Sequence, residues 1–237
     1  MLIKIDHSLV ANIKNPGNSA DWTPEIIMSL INLATAKREG KHLVIAERKT
    51  LEAILQCPSL DELTKEMYKK ILDKTVNYMN SYIAAVSRYI EVIDSCPEPS
   101  LSKINDKEVI QVAPSFFNDS ETIQKTIILS ENIKDSKFYE LIGAVYKVWT
   151  NNKLPIKCEP YPGGGSTLTP AYKHIQESNK RFCLCIVDSD RTAPESSLGD
   201  TAKTIEKDHD SNCYRTQLSI LDVREIENLR SEEHTSE

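Results

Sequence analysis

From Thr126 to Leu221 the chain alternates short apolar runs with amphipathic stretches, and two of the apolar runs end in acids. Residues 126–130, 156–160, 182–187 and 216–221 read as strands, and 135–149, 169–176 and 201–207 as helices. Such alternation predicts an α/β fold with a parallel sheet, right-handed crossovers and helices on its flanks. Glu131 closes the first strand, and Asp188 and Asp190 close the third. Parallel strands set their carboxyl ends along one sheet edge, where open α/β folds bind ligands. Three carboxylates gathered there repel one another unless a cation lies between them. Oxygen donors of this kind suit Mg²⁺ or Mn²⁺, which points to metal-dependent phosphoryl chemistry.

The first half has a different texture. Residues 2–6 and 42–46 read as strands, and Thr23-Pro24-Glu25 opens a helix that runs toward Gly40. A short helix is expected over 49–55. From Asp61 to Ile93 apolar residues recur at three- and four-residue spacing, which predicts one long helix or two broken near residues 77–81. Residues 108–113 read as a strand and 114–120 as a connector. We therefore expect a helix-rich α/β domain over 1–118 and a second domain over 119–229.

Composition narrows the function classes. With 237 residues, 40% hydrophobic and 27% charged, the chain suits one large or two small globular domains. A net charge of −6 lacks the basic footprint of a passive DNA-coating protein, although a local cleft with bound cations can still engage nucleic acid. No apolar run is long enough to span a bilayer, so no membrane role is expected. Met1–Asp6 reads as a strand and not as a signal peptide, which implies a cytoplasmic protein. The six cysteines include no Cys-x-x-Cys pair; Cys183 and Cys185 are expected in the core. Arg230–Glu237 reads codon for codon as a translated sequencing adapter, an artefactual tail, and the natural chain is expected to continue past Leu229.

Three short motifs carry the candidate chemistry. In the first, Ile127-Ile128-Leu129-Ser130-Glu131 is followed by Asp135, which is either a helix N-cap or a further metal ligand. In the second, Asp188-Ser189-Asp190 is either a turn device or, if extended, a pair of carboxylates aimed the same way. In the third, Gly163, Gly164 and Gly165, with Ser166, form either a flexible turn or a loop that lets a substrate approach the backbone. It lacks the Gly-Lys-Ser/Thr of a Walker loop. Lys134, Lys137, Lys173 and Arg191 are available as phosphate contacts or as plain surface charges.

The order Glu131-x-x-x-Asp135, glycine loop, Asp188-x-Asp190 resembles a Toprim domain, most closely that of the OLD-type (overcoming lysogenization defect) nucleases. Leu221-Asp222-Val223-Arg224-Glu225-Ile226-Glu227-Asn228-Leu229 resembles the segment that follows the Asp-x-Asp strand in that family. The resemblance covers about 120–229 and implies Mg²⁺- or Mn²⁺-dependent hydrolysis of a nucleic-acid phosphodiester, DNA above all, with a role in anti-phage defence. It implies Glu131, Asp188 and Asp190 as catalytic residues. The metal ligands would be these three with Asp135 and Glu225, beside a substrate-proximal loop of Gly163, Gly164, Gly165 and Ser166. The chain departs from the family in two respects. Ser130 and Asn132 flank Glu131 where the family has glycine after the acid, and no P-loop ATPase precedes the motif, so an ATPase or other protein partner would have to supply one. Two alternatives remain: a catalytically inactive Toprim-like interaction module, and a primase- or topoisomerase-type phosphotransfer domain.

Overall fold

The computed structural model describes residues 1–74, 76–151, 157–193 and 195–224, with Val76 and Ser166 described in backbone only. The protein is α/β, with two mostly parallel sheets, and its chain divides into two compact units. The first comprises Met1–Lys125 with Val145–Lys157; the second comprises Thr126–Ala144 and the chain from Cys158 onward. No helix among the described residues is long and apolar enough to cross a membrane.

In the first unit the elements are β1 (Leu2–Ile5), α1 (Ser8–Ala11), α2 (Pro24–Arg38), β2 (Leu43–Ala46), α3 (Arg48–Gln56), α4 (Glu62–Lys74), α5 (Met79–Ala84), β3 (Arg88–Val92), β4 (Ser100–Ile104) and β5 (Lys107–Val112). The sheet order is β2-β1-β3-β5-β4, parallel except for the β4–β5 hairpin. Local chemistry sets the helix starts. Thr23 Oγ1 accepts from Ile26 N at 3.3 Å ahead of Pro24, and Asp61 accepts from both Thr64 N and Thr64 Oγ1. Tyr68 of α4 is fully buried and donates its hydroxyl to the Leu30 carbonyl of α2 at 2.8 Å. Asn32 of α2 donates to the carbonyls of Phe117 and Asn118, tying the turns after β5 into this unit.

Two expectations fail here. The helical stripe expected through Ile93 stops at Ala84, and Arg88–Val92 is a central strand between β1 and β5. Ile90 and Val92 have no exposed surface. A strand buried on both faces of a sheet carries no alternation, and the spacing of its apolar residues here mimicked a helix. The hairpin strand β4 was also not anticipated. It turns back through Asn105 and Asp106, both left-handed at φ 49° and 61°, a conformation that Asn and Asp tolerate.

The second unit contains β6 (Thr126–Ser130), α6 (Ile133–Trp149, whose last residues group with the first unit), β7 (Cys158–Pro162), α7 (Leu168–Ser178), β8 (Cys183–Val187), α8 (Asp200–Asp208) and β9 (Thr216–Ile220). All four strands are parallel, in the order β7-β6-β8-β9. Helices α7 and α8 pack through Leu168, Tyr172, Ile175, Ala202 and Ile205 onto Ile127, Leu129, Cys183, Cys185 and Val187. Cys183 and Cys185 are core residues, as expected, and burial pushes the Cys183 thiol up to about 12. All six cysteines are free. Arg181, just before β8, grips Glu159 of β7 through both guanidinium nitrogens, at 2.7 and 3.4 Å. The helical start expected after Arg224, like the adapter-like tail, lies outside the described residues.

Candidate metal centre

Strand order decides where this second sheet can hold a ligand. From β6 the chain goes to one side for β7 and returns past it for β8, so the order reverses at the β6–β8 boundary. The crevice outside the carboxyl ends at such a reversal is where doubly wound sheets bind ligands. Glu131 is the first residue after β6, and Asp188 the first after β8.

The turn after β6 is rigidly built. Ser130 and Ser136, both buried, bond each other at 2.6 Å, and Ser136 Oγ also reaches the Ile128 carbonyl. Asn132 Oδ1 accepts from Lys134 N, while Asp135 Oδ2 accepts from Asn132 N at 3.1 Å. Asp135 is therefore not the N-cap. It sits in the first turn of α6 and bonds backward, in the manner of a capping box. Glu131 lies between these anchors, half-buried. Its Oε1 is buried with no hydrogen-bond partner among the described residues. Burial, then the charge of Asp190, then that of Asp135, holds the Glu131 carboxyl above the usual carboxylate range.

The glycine loop supports Glu131 from below. Gly163 N donates to the Ser130 carbonyl at 2.7 Å and Gly164 N to the Glu131 carbonyl at 2.9 Å. The N–H groups of Gly163 and Gly164 are thus engaged with the strand end. Gly163 is glycine because a Cβ there would lie 2.7 Å from the Ser130 carbonyl and overlap Leu168. Gly164 and Gly165 are left-handed, at φ 70° and 57°. Gly165 has open space around it. The close backbone approach is therefore to β6 and α7, and only Gly165 faces an unobstructed side. Of Ser166 only the backbone is described.

After β8, Asp188 is half-buried, Ser189 buried and Asp190 exposed. Ser189 Oγ donates to the Val223 carbonyl, Asp190 N donates to the Arg224 carbonyl, and Gly199 N donates to the Ser189 carbonyl. Asp190 is left-handed at φ 50°, so the extended alternation that would aim Asp188 and Asp190 the same way ends before it. What aims Asp190 is its neighbourhood: Gly199, at the start of α8, lies against its side chain, where a Cβ would come 2.8 Å from Oδ2. Nothing in the sequence singled out Gly199, since one glycine before a helix reads as an ordinary boundary. Glu225 falls outside the described residues.

Asp190 and Asp135 are thus each close enough to act on Glu131, with Asp188 at the end of the adjacent strand. Among the described residues no three Asp, Glu, His or Cys side chains converge into a ready ligand shell. The donor chemistry nonetheless fits a hard divalent cation. It is all oxygen, it includes a buried carboxylate oxygen without a donor among the described residues, and Asp190 and Asp135 repel the Glu131 charge. The first unit supplies a contrast. Its sheet reverses order at β1–β3, and Asp6 and Asp94 follow those strands. There the protein supplies donors of its own: Ser8 N to Asp6 at 2.9 Å, Asn12 Nδ2 to Asp94 at 3.1 Å. Burial acts to raise Asp6, but its hydrogen bonds with Ser8 and the charge of Lys4 outweigh this and leave it below the usual range.

No family model matches the chain, and no curated protein or solved structure matches it significantly.

Proposed function

We propose that the protein is a Mg²⁺- or Mn²⁺-dependent endonuclease of the Toprim, OLD-type class, acting on DNA in the cytoplasm. The observation that carries the reading is the buried, donorless Oε1 of Glu131 at the strand-order reversal, beside Asp190 and Asp135. A carboxylate so placed is destabilised unless something positive occupies the crevice. Glu131, Asp188 and Asp190 would hold the cation, with Asp135 and Glu225 as further oxygen donors. When bound, a divalent cation polarises a phosphoryl oxygen and lowers the pKa of a ligated water. Glu131, already held above the usual carboxylate range, is suited to take or return a proton at that water. Exposed Lys134, Lys137 and Lys173 lie on helices that follow the strand ends and could meet the phosphate backbone. A role in anti-phage defence, and an ATPase or other protein partner, belong to the same proposal.

The test is a supercoiled-plasmid assay on the full-length protein with Mg²⁺ or Mn²⁺, beside Asp190→Ala. The wild type should nick or cut, and the variant should lose this with an unchanged circular dichroism spectrum. Equal background from the two proteins with either metal would sink the nuclease reading in favour of an inactive interaction module.

A further inference from the structure

The first turn of α6 meets the end of β6 through a pair of serines. Ser136 has no exposed surface, and Ser130, the last residue of β6, is buried as well. Alanine fills a position of this size at no polar cost, and in a helix it is also the better former. The Ser136 hydroxyl is therefore kept for what it holds. Ser136 Oγ lies 2.6 Å from Ser130 Oγ, 3.0 Å from the Ile128 carbonyl and 3.3 Å from the Tyr161 carbonyl. Ser130 Oγ lies 2.7 Å from the Asn132 carbonyl. Two hydroxyl protons must serve these four contacts, and one of them lies between the serines. If Ser130 gave that proton, its oxygen would stand 2.7 Å from the Asn132 carbonyl with no hydrogen between them. Ser136 therefore donates to Ser130, and Ser130 to the Asn132 carbonyl. Only the two longer contacts are left without a proton.

This relay ties together the two neighbours of Glu131. Ser130 is held a second time through its carbonyl, by Gly163 N at 2.7 Å, and Asn132 through its own N–H, by Asp135 Oδ2 at 3.1 Å. The Asn132 carbonyl also accepts from Asp135 N and Ser136 N, where α6 begins. We propose that Ser136 is a positioning residue of the metal centre: through Ser130 it fixes the backbone on both sides of Glu131 and so sets where that carboxylate stands. The proposal rests on the metal-dependent reading above and adds to it a residue that need not touch the cation. Groups that orient a metal ligand are worth about 10–100-fold in metal affinity, because a ligand held loosely misses the cation's preferred distance.

Titration of the full-length protein with Mn²⁺, read from the electron paramagnetic resonance signal of the free ion, tests this without relying on cleavage. Ser136→Ala should keep the wild-type circular dichroism spectrum and bind Mn²⁺ about tenfold more weakly. Ser130→Ala should do the same, and the double variant should be no weaker than either single change, since each breaks one relay. If Ser136→Ala does not fold, Ser130→Ala decides alone. Thr216→Val is the control for a purely structural role. It removes a buried hydroxyl that bonds the Cys213 carbonyl at the amino end of β9, on the opposite edge of the sheet, and it should bind Mn²⁺ like the wild type. A folded Ser136→Ala with wild-type Mn²⁺ affinity overturns the proposal and leaves the metal centre standing. Equal weakening by Thr216→Val overturns it too, as does a double variant whose loss is the product of the single losses. A wild type that binds no Mn²⁺ sinks the metal reading itself, and the positioning role with it.

Discussion

Glu131→Gln separates a carboxylate kept for a cation from one that is merely tolerated. In the folded protein, burial and the charges of Asp190 and Asp135 raise the Glu131 pKa. The unfolded chain keeps a value of about 4.3. The folded state therefore binds this proton more tightly. Glu131 costs no stability below the ordinary carboxylate range, and its penalty grows as pH rises through the elevated folded value. A fully buried polar group without a partner costs ~1–3 kcal/mol. Glu131 is half-buried, and solvent screening brings the charge penalty to the low end, about 1 kcal/mol. In a unit of this size that corresponds to about 4–8 °C in Tm. Metal-free Glu131→Gln should thus melt above the wild type at about pH 7.5 and level with it near pH 4. Mn²⁺ should reverse the order, since a ligand at 100 times its Kd stabilises by ~2.7 kcal/mol, and the variant should show little of that gain. Thermal melts at both pH values, with EDTA or with MnCl₂, provide the readout. A difference between the proteins that does not change with pH, or an equal Mn²⁺ shift in both, would refute the electrostatic account of the site.

Two further perturbations test the scaffold. Gly199→Ala forces a Cβ against the Asp190 carboxylate; it should cost about 1–3 kcal/mol in urea denaturation and lower metal-dependent nicking, whereas Gly17→Ala, a loop control, should do neither. Lys4→Met strands the buried Glu91, which Lys4 Nζ contacts at 2.8 Å; the loss should be about 3–5 kcal/mol, visible as a lower urea midpoint, with Gln111 as the remaining donor to that carboxylate.

Much of the second unit was legible because its signals are local. Apolar runs bounded by helical stretches mark β6, α7, β8, α8 and β9 to within a residue or two, and the acids closing β6 and β8 follow from those boundaries. The first unit was less legible. A strand buried on both faces shows no period, and β3 was hidden in what looked like a continued helix. The direction of Asp190 was unreadable for a related reason. Its left-handed backbone is stabilised by hydrogen bonds from Ser189, Asp190 and Gly199 to partners 10 or 34 residues away. No window of neighbouring residues contains that information.

Residue order along the chain was enough to establish an α/β protein with acids at the ends of its strands, because side-chain hydrophobicity and helix or strand period act over a few neighbours. It could not establish that β6 and β8 would lie side by side, or that the glycine loop would hydrogen-bond the backbone of Ser130 and Glu131. Those outcomes depend on which distant surfaces find each other when the sheet is assembled. Hydrophobic burial is non-directional and is satisfied by the chain as a whole. It can therefore leave a buried polar atom such as Glu131 Oε1 without a donor among the described residues.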